Sequence, residues 1–501
     1  MTDTVELRAA PPPYTPRYKR LVLFLLVVAY TLNFIDRTII NTIGQAIKDD
    51  LKITDTQLGL LGGLYFALLY TFLGIPIARL AERYSRVNII SVAIVIWSGF
   101  TALCGTAANF ATLAAYRFGV GLGEAGLSPP AHSMLSDYYP PKSRATALAV
   151  YSFGIPLGAM LGAIIGGQIL DHFTWRVAFL LVGAPGVAVA LAIKLLVKEP
   201  PRGHSEPAPL TAGGPAMTRA PPAASLASEL REIGAVIASL FGNAAVRNMV
   251  LGVTIGSFAG YGGGQFAPPY FIRAFHLSYG HVGLITGLIQ GIGGGVGYLA
   301  SGVLTDRLAR SSPRWYALAP AIGLVIAFPL LAAVYTRSTW QAAAILLVLP
   351  GMFSGLGLAP TAAVAQNMVP NYRRATATAV LFFFLNLIGL GFGPPFAGWV
   401  IDHATAFHYA HTDAPGMWAA LRGMFTVDPA AFQAVCPGGR ASAGATDAAK
   451  AACSSALVLG TRQGILVAYA MMLWAAGHYL VGSFGLADAL AKARAARGEA
   501  G

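Results

Sequence analysis

At 501 residues, 55% hydrophobic and only 11% charged, the chain carries under half the charge of an ordinary soluble domain, in which about a quarter of residues are charged. A surface that faces mostly water is excluded. The net charge of +13 could suit a nucleic-acid binder, but the basic residues sit in short loops between apolar spans and not on one polar face, so nucleic acid is excluded as a partner and the charges read as topology signals.

Segments able to cross a hydrocarbon core of about 30 Å at 1.5 Å per residue fall near 21–43, 58–80, 89–108, 111–135, 145–170, 175–197, 248–272, 280–304, 316–335, 340–367, 375–401 and 463–487. They predict an all-α membrane protein with twelve transmembrane helices. Residues 1–20 read as a cytoplasmic tail, 21–198 as a first six-helix bundle, 199–243 as a linker, 244–487 as a second bundle and 488–501 as a second cytoplasmic tail. The first span is too long, and too polar in its second half, for the apolar core of a cleaved signal peptide. The linker opens rich in Pro, Ala and Ser. From Ser225 to Phe241, Leu226, Leu230, Ile233, Ile237 and Leu240 share one helical face, predicting an amphipathic helix that either lies on the membrane surface or packs loosely as a connector. A second long loop, 402–462, lies on the opposite side.

The basic clusters decide sidedness. Arg17, Lys19 and Arg20 precede the first span; Arg79, Arg83 and Arg86 follow the second; Lys142 and Arg144 the fourth; Lys198 and Arg202 the sixth; Arg307, Arg310 and Arg314 the eighth; Arg373 and Arg374 the tenth; Lys492, Arg494 and Arg497 the last. All lie on one side if both termini are cytoplasmic, which predicts a multi-pass protein of the plasma (inner) membrane. Lys48, Lys52, Arg176, Arg273 and Arg337 are exceptions. Of three cysteines, Cys104 lies in the third span. Cys436 and Cys453 share the outer loop, where a disulfide would persist, and a disulfide between them is expected.

Three sequence patterns recur in the same order. Ala78-Arg79-Leu80-Ala81-Glu82-Arg83-Tyr84-Ser85-Arg86 matches Gly302-Val303-Leu304-Thr305-Asp306-Arg307-Leu308-Ala309-Arg310. Tyr139-Pro140-Pro141-Lys142-Ser143-Arg144-Ala145-Thr146 matches Val369-Pro370-Asn371-Tyr372-Arg373-Arg374-Ala375-Thr376. Gly167-Gln168-Ile169-Leu170-Asp171-His172 matches Gly398-Trp399-Val400-Ile401-Asp402-His403. They predict two pseudo-symmetric six-helix halves, a transporter architecture with its substrate site between the halves near the midplane.

The first of these repeats resembles the signature loop of the major facilitator superfamily, with Ala78 where the signature usually has Gly and Glu82 where it usually has Asp; the second copy keeps both. Asn33-Phe34-Ile35-Asp36-Arg37, Arg117-Phe118-Gly119-Val120-Gly121-Leu122-Gly123-Glu124-Ala125 and Lys198-Glu199-Pro200-Pro201-Arg202-Gly203 are similar to the Spinster family. The resemblance implies the superfamily fold, alternating access and proton-coupled or facilitated carriage of lipid-like amphiphiles, since relatives carry sphingosine phosphate or lysophospholipids. It also points to Asp36, Arg117 and Glu124 as coupling residues.

Physical reasoning converges on the same three, because a charge within a membrane span is costly and therefore a functional candidate. Arg117 and Glu124 are seven residues apart and share a helical face. Asp36 and Arg117 lie at similar depths, roughly 10 Å and 9 Å from the outer end of their spans, so an Asp36–Arg117 pair is expected, with Glu124 nearer the midplane. The second half carries no matching charge in its tenth or eleventh span. The cavity is therefore expected to have one charged wall and one apolar, aromatic wall, suiting an anionic amphiphile. Arg117, Asn33, Tyr261, Gln265, Gln290, Phe382, Phe383 and Asn386 are the substrate-binding candidates. Glu82, Arg83, Arg86 and Arg144, with Asp306, Arg307, Arg310 and Arg374, are expected to form ion pairs closing a cytoplasmic gate. No metal-ligand spacing, His-Glu-x-x-His or Gly-x-Ser-x-Gly occurs, and no Lys-Ser or Lys-Thr follows the Gly-rich stretch 291–297. A non-enzymatic monomer without metal or cofactor is expected, whose partners are the bilayer, protons and its substrate. A carrier of small organic anions or drugs is the alternative within transport, and a membrane receptor outside it.

Overall fold

The computed structural model describes residues 14–202, 204–205, 226–370, 373–411 and 416–496, and every regular element among them is a helix. The first half holds spans 1 (Pro16–Leu51), 2 (Asp55–Gly62 and Leu64–Arg83), 3 (Arg86–Cys104), 4 (Phe110–Glu124 and Ser128–Tyr138), 5 (Pro141–Ser152 and Gly154–His172) and 6 (Trp175–Leu196). The second holds spans 7 (Ala244–Phe275), 8 (Tyr279–Leu288 to Gly295–Ala309), 9 (Trp315–Val334), 10 (Trp340–Ser354 and Leu358–Asn367), 11 (Arg374–Phe384 to Gly393–Ala410) and 12 (Asp447–Ser483). Local chemistry sets many of the boundaries. Thr15 caps span 1, which opens on Pro16 and ends at Lys52 in the left-handed region; Thr54 and Gln57 form a capping box for span 2.

By length and apolar composition, nine helical segments among the described residues can each cross a membrane, and a tenth does so if span 7 is taken with the helix before it, from which it bends by 98°. Spans 4 and 8 are not among those segments; span 4 carries Arg117, Glu124 and Asp137, and span 8 a glycine-rich π-helical stretch, Ile289–Gly294.

The two halves meet along two seams, span 2 against span 11 and span 5 against span 8. Both seams are closest at the face opposite the chain termini, here the far face. There a Cβ on Gly59 would stand 2.4 Å from the Pro394 carbonyl oxygen. Glycine lets the two backbones touch. The terminal face is built differently. Tyr14 packs on Tyr138 and His204, and the Tyr18 hydroxyl donates to the Leu196 carbonyl, tying the start of the chain to the end of span 6 within one half.

The expected linker helix is Leu226–Gly242. Val236 and Leu240 are its buried residues, Phe241 packs on Phe384, and Glu232 pairs with Arg373 at 3.3 Å, so it is docked on the second half. Ile237 faces outward at 37% exposure, contrary to the expected stripe. The side chains of Leu226 and Leu230 lie outside the described residues, as do Lys142, Tyr372 and Arg497. The twelfth span also departs from expectation. Its helix begins at Asp447, not near 463, and projects beyond the far face. Cys453 on that projection is joined by a disulfide to Cys436, and both pack with Ala406, Phe432 and Ala456 in a small separate core.

Candidate transport site

Within the interior of the first half, Asp36 and Arg37 of span 1 and Arg117 and Glu124 of span 4 are all buried. The expected Asp36–Arg117 pair is not formed. Arg117 is fully buried, and its Nε donates to the Leu61 carbonyl at 3.1 Å and its Nη1 to the Asp36 carbonyl at 3.5 Å. Its Nη2 and Asp36 Oδ1 have no hydrogen-bond partner among the described residues. Asp36 instead lies beside Thr101 and Trp97, whose polar side-chain atoms stand outside hydrogen-bond geometry. The reason is helical geometry: adjacent residues of span 1 point about 100° apart, so Asp36 turns toward span 3 while its neighbour Arg37 reaches the acid of span 4.

Arg37 forms the ion pair. Its Nη2 lies 2.9 Å and its Nε 3.3 Å from Glu124 Oε2. The guanidinium is enclosed by the rings of Phe34, Phe66 and Tyr70, with centroids 4.8, 4.8 and 4.5 Å away, which stabilises the cation where water is scarce. Asn33 lies near Glu124. Tyr261, 40% exposed on span 7, approaches Arg37 and Tyr70 from the other half. Tyr30 stacks on Tyr151, with 4.4 Å between centroids, and His132 meets Tyr151 edge-on. The result is one charged pair set among tyrosines at the junction of the halves. Arg117 also lies over Phe66, 5.4 Å from the centroid of that ring.

The other candidates separate. Phe382 is 41% exposed, while Phe383 packs edge-to-face on Phe72 of span 2 across the seam. The Asn386 amide donates to the Phe382 carbonyl of its own helix, just inside a π-helical segment, Leu385–Phe392. Gln290 is exposed in the matching π-helical segment of span 8; such segments are frequent at functional sites. Gln265 is buried, and its amide donates to the Leu58 carbonyl across the seam at 2.8 Å. It therefore closes the seam and does not line an open wall.

At the terminal face none of the ion pairs seen among the described residues joins the expected gate residues of one half to those of the other. Arg86 is fully buried and pairs with Asp137 and with Glu199, the latter at 2.6 Å. Its Nη2 also donates to the Pro200 carbonyl, and Arg202 donates to the Ala81 carbonyl. The Lys198-to-Arg202 motif thus braces the loop between spans 2 and 3 inside one half. Glu82 pairs with Arg79 on its own helix; Arg144 donates to the Ser136 and Tyr139 carbonyls; Asp306 accepts from the Tyr316 hydroxyl. Arg83, Arg307, Arg310 and Arg374 make no ion pair within 4.0 Å among the described residues. These contacts of Glu82, Arg144 and Asp306 each lie within their own half.

A second buried cluster, not anticipated, joins the halves at that far face. Asp55 of span 2 pairs with Lys48 of span 1 and with Arg273 of span 7, the latter at 2.6 Å. Arg273 also donates to Gln45 and to Thr461 of span 12, each at 2.7 Å. Lys48 and Arg273 were visible in the sequence as basic residues on the wrong side, and their burial accounts for that exception.

Residues 26–394 and 249–487 match the family profile of the Major Facilitator Superfamily. An MFS-type efflux pump of Mycolicibacterium smegmatis is 30% identical over 392 residues, covering 78% of this chain and 86% of that protein. A hexuronate transporter of Bacillus subtilis is 27% identical, covering 79% and 91%. Protein spinster of Drosophila melanogaster is 25% identical, covering 79% of this chain and 64% of that one. The crystal structure of a bacterial homolog to the human lysosomal transporter Spinster, in an inward-facing and occupied conformation, superposes with a TM-score of 0.77 at 30% identity, covering 94% and 98%. The twelve-span architecture in two halves, the seams between them and these likenesses together show that the chain belongs to the major facilitator superfamily and is a multi-pass secondary transporter.

Proposed function

We propose that the protein carries an anionic amphiphile across the plasma membrane by alternating access, coupled to protons, with both termini in the cytoplasm and the far face outside. The observation that carries this reading is the buried Arg37–Glu124 pair, set among aromatic rings where the halves meet. The positive-inside distribution supports the orientation. With the far face closed, the conformation is inward-facing.

Glu124 and Arg37 neutralise each other in the empty carrier. A proton taken up by the Glu124 carboxylate removes its negative charge and frees the guanidinium. The substrate's anionic group then replaces the carboxylate, and a phosphate or carboxylate fits the two-pronged donor of an arginine. Rejecting the anion restores the pair and releases the proton. Phe72, Phe382 and Phe383 offer apolar surface for a tail. Asp36 and Arg117 act as positioning residues, Arg117 holding span 4 against the backbones of spans 1 and 2.

The likeness to a hexuronate carrier supports a second reading, a small organic anion, whose hydroxyls the tyrosines at 30, 70 and 261 would suit. Purified protein in proteoliposomes with an imposed pH gradient tests both. Gradient-driven flux of a lysophospholipid, abolished in Glu124→Gln, is the expected result. Flux of a hexuronate but not of the lipid would select the second reading, and flux indifferent to the gradient would remove proton coupling.

A further inference from the structure

The repeated motif Gly-x-x-x-Asp-His at 167–172 and 398–403 is not used by the buried charge pair, and its two copies do the same thing in the structure. Asp402 of span 11 accepts from the backbone N–H of Asp55 at 2.9 Å and of Thr56 at 2.8 Å, and from the Thr56 hydroxyl at 2.6 Å. These are the first residues of span 2, in the other half. Asp171 of span 5 accepts from the backbone N–H of Gly280 at 3.0 Å and from the Ser278 hydroxyl at 3.1 Å. These open span 8, again in the other half.

The first N–H groups of a helix have no partner within it and form the positive end of its dipole. Each of these two helices already has a cap of its own: Thr54 accepts from Gln57, and Ser278 from His281. The aspartate from across the seam takes N–H groups left over, those of Asp55 and Thr56 in span 2 and that of Gly280 in span 8. The glycine of the motif stands one helical turn before the aspartate and so shares its face. A Cβ on Gly398 would lie 2.2 Å from the Asp55 carbonyl oxygen, and one on Gly167 would lie 2.4 Å from the Tyr279 carbonyl oxygen. Glycine permits the approach and aspartate fastens it, one turn further on.

We propose that Asp171 and Asp402 are paired gate residues of the far face: each is a detachable cap on a helix of the opposite half, and both caps must release for that face to open. The fold's internal symmetry relates span 5 to span 11 and span 8 to span 2, so the two caps exchange roles between halves and close the face on both seams at once. They are not equal. Asp402 is buried and stands beside the Lys48–Asp55–Arg273 network, whereas Asp171 is exposed. Asp402 therefore contributes more to closure, because its bonds compete less with water.

The test uses the full chain in nanodiscs, spin-labelled at Thr106→Cys and Thr336→Cys. These are exposed positions in the turns after spans 3 and 9, one on each half and outside the gate. The separation of the labels is measured by pulsed electron paramagnetic resonance. Asp402→Ala is expected to raise the population with a wide far face about fivefold or more, Asp171→Ala less, and the double variant most, since an anion at a helix N-terminus is worth up to about a thirtyfold shift in equilibrium. Asp402→Asn keeps one acceptor and the fold and should fall between wild type and Asp402→Ala, which keeps the measurement decisive if the alanine variant is unstable. An unchanged distance distribution in a double variant that is monodisperse and melts like wild type would overturn the proposal. So would opening caused by Asp171→Ala alone to the same extent as by the double variant.

Discussion

Two of the buried charge clusters among the described residues are alike in composition and differ in setting. The interior cluster, Asp36, Arg37, Arg117 and Glu124, is built wholly from spans 1 and 4, within one half. The far-face cluster, Lys48, Asp55, Arg273 and Asp402, draws on spans 1, 2, 7 and 11, so it crosses between halves. Each has two acids and two bases. A cluster inside one half can exchange a proton or an anion without any relative movement of the halves. A cluster that crosses the seam has to be broken whenever the seam opens, and its strength then sets how often that happens. One suits chemistry and the other suits gating, and the distinction lies in where the helices belong and not in which residues are used.

The sharpest way to break that comparison is at Asp55, which holds two cations. Asp55→Ala leaves Lys48 and Arg273 buried and uncompensated, a loss of about 3–5 kcal/mol for a broken buried pair. The expected outcome is a far face that stays open, read as rapid alkylation of a cysteine placed on the inner surface by an impermeant reagent added from outside. Slow alkylation, as in wild type, would mean that the cluster is not what keeps the face shut.

Arg37→Ala should act on the interior cluster with a similar energy but a different signature. Glu124 loses its partner, anionic-substrate binding is expected to fall by about a hundredfold, in line with about 3 kcal/mol for a charge-assisted bond, and the far-face labelling should stay as in wild type. Arg117→Lys separates positioning from binding: the lysine keeps the charge but loses the fork that reaches two carbonyls, so thermal stability should drop while the affinity ratio of charged to neutral ligand stays the same. An altered ratio would return Arg117 to the substrate site.

Smaller effects sharpen the periphery. The outer loop reaches back to the first half through Arg440, which pairs with Asp49 at 2.6 Å. Cys436→Ser with Cys453→Ser should cost the loop roughly 3 kcal/mol in the chain-entropy picture, seen as faster proteolysis between 416 and 446, while Arg440→Ala should cost under about 1 kcal/mol because the arginine itself is largely exposed. The least effect is expected at Glu199. Burial pushes its carboxyl up, but bonds from the Val87 N–H, Arg86 and Ser85 outweigh that and hold it below its ordinary value of 4.5. A carboxylate depressed in the folded state stabilises above its unfolded value and stops doing so as pH falls through its folded value. The gap in melting temperature between wild type and Glu199→Gln should therefore be full at pH 7 and close below about pH 4.5.

Much of this was legible in the chain. Composition and span length determined an all-helical membrane protein, because an apolar segment in lipid has to satisfy its backbone internally. The three repeats determined two halves, and the in-span charges marked Asp36, Arg117 and Glu124 as unusual, because such charges are costly wherever they point. What the sequence could not decide was pairing. Arg37 stood beside Asp36 in the same motif, and only the rotation of span 1 against spans 3 and 4 shows which of the two meets Glu124. Lys48 and Arg273 counted as exceptions to a charge rule until the fold brought them to one aspartate. The aspartates of the third repeat were visible as a pattern, yet their partners, Thr56 and Gly280, lie 346 and 109 residues away. Hydrophobic length and periodicity are local properties that one helix can express alone. A cross-seam hydrogen bond depends on how two six-helix bodies are set against each other, and only the tertiary structure carries that.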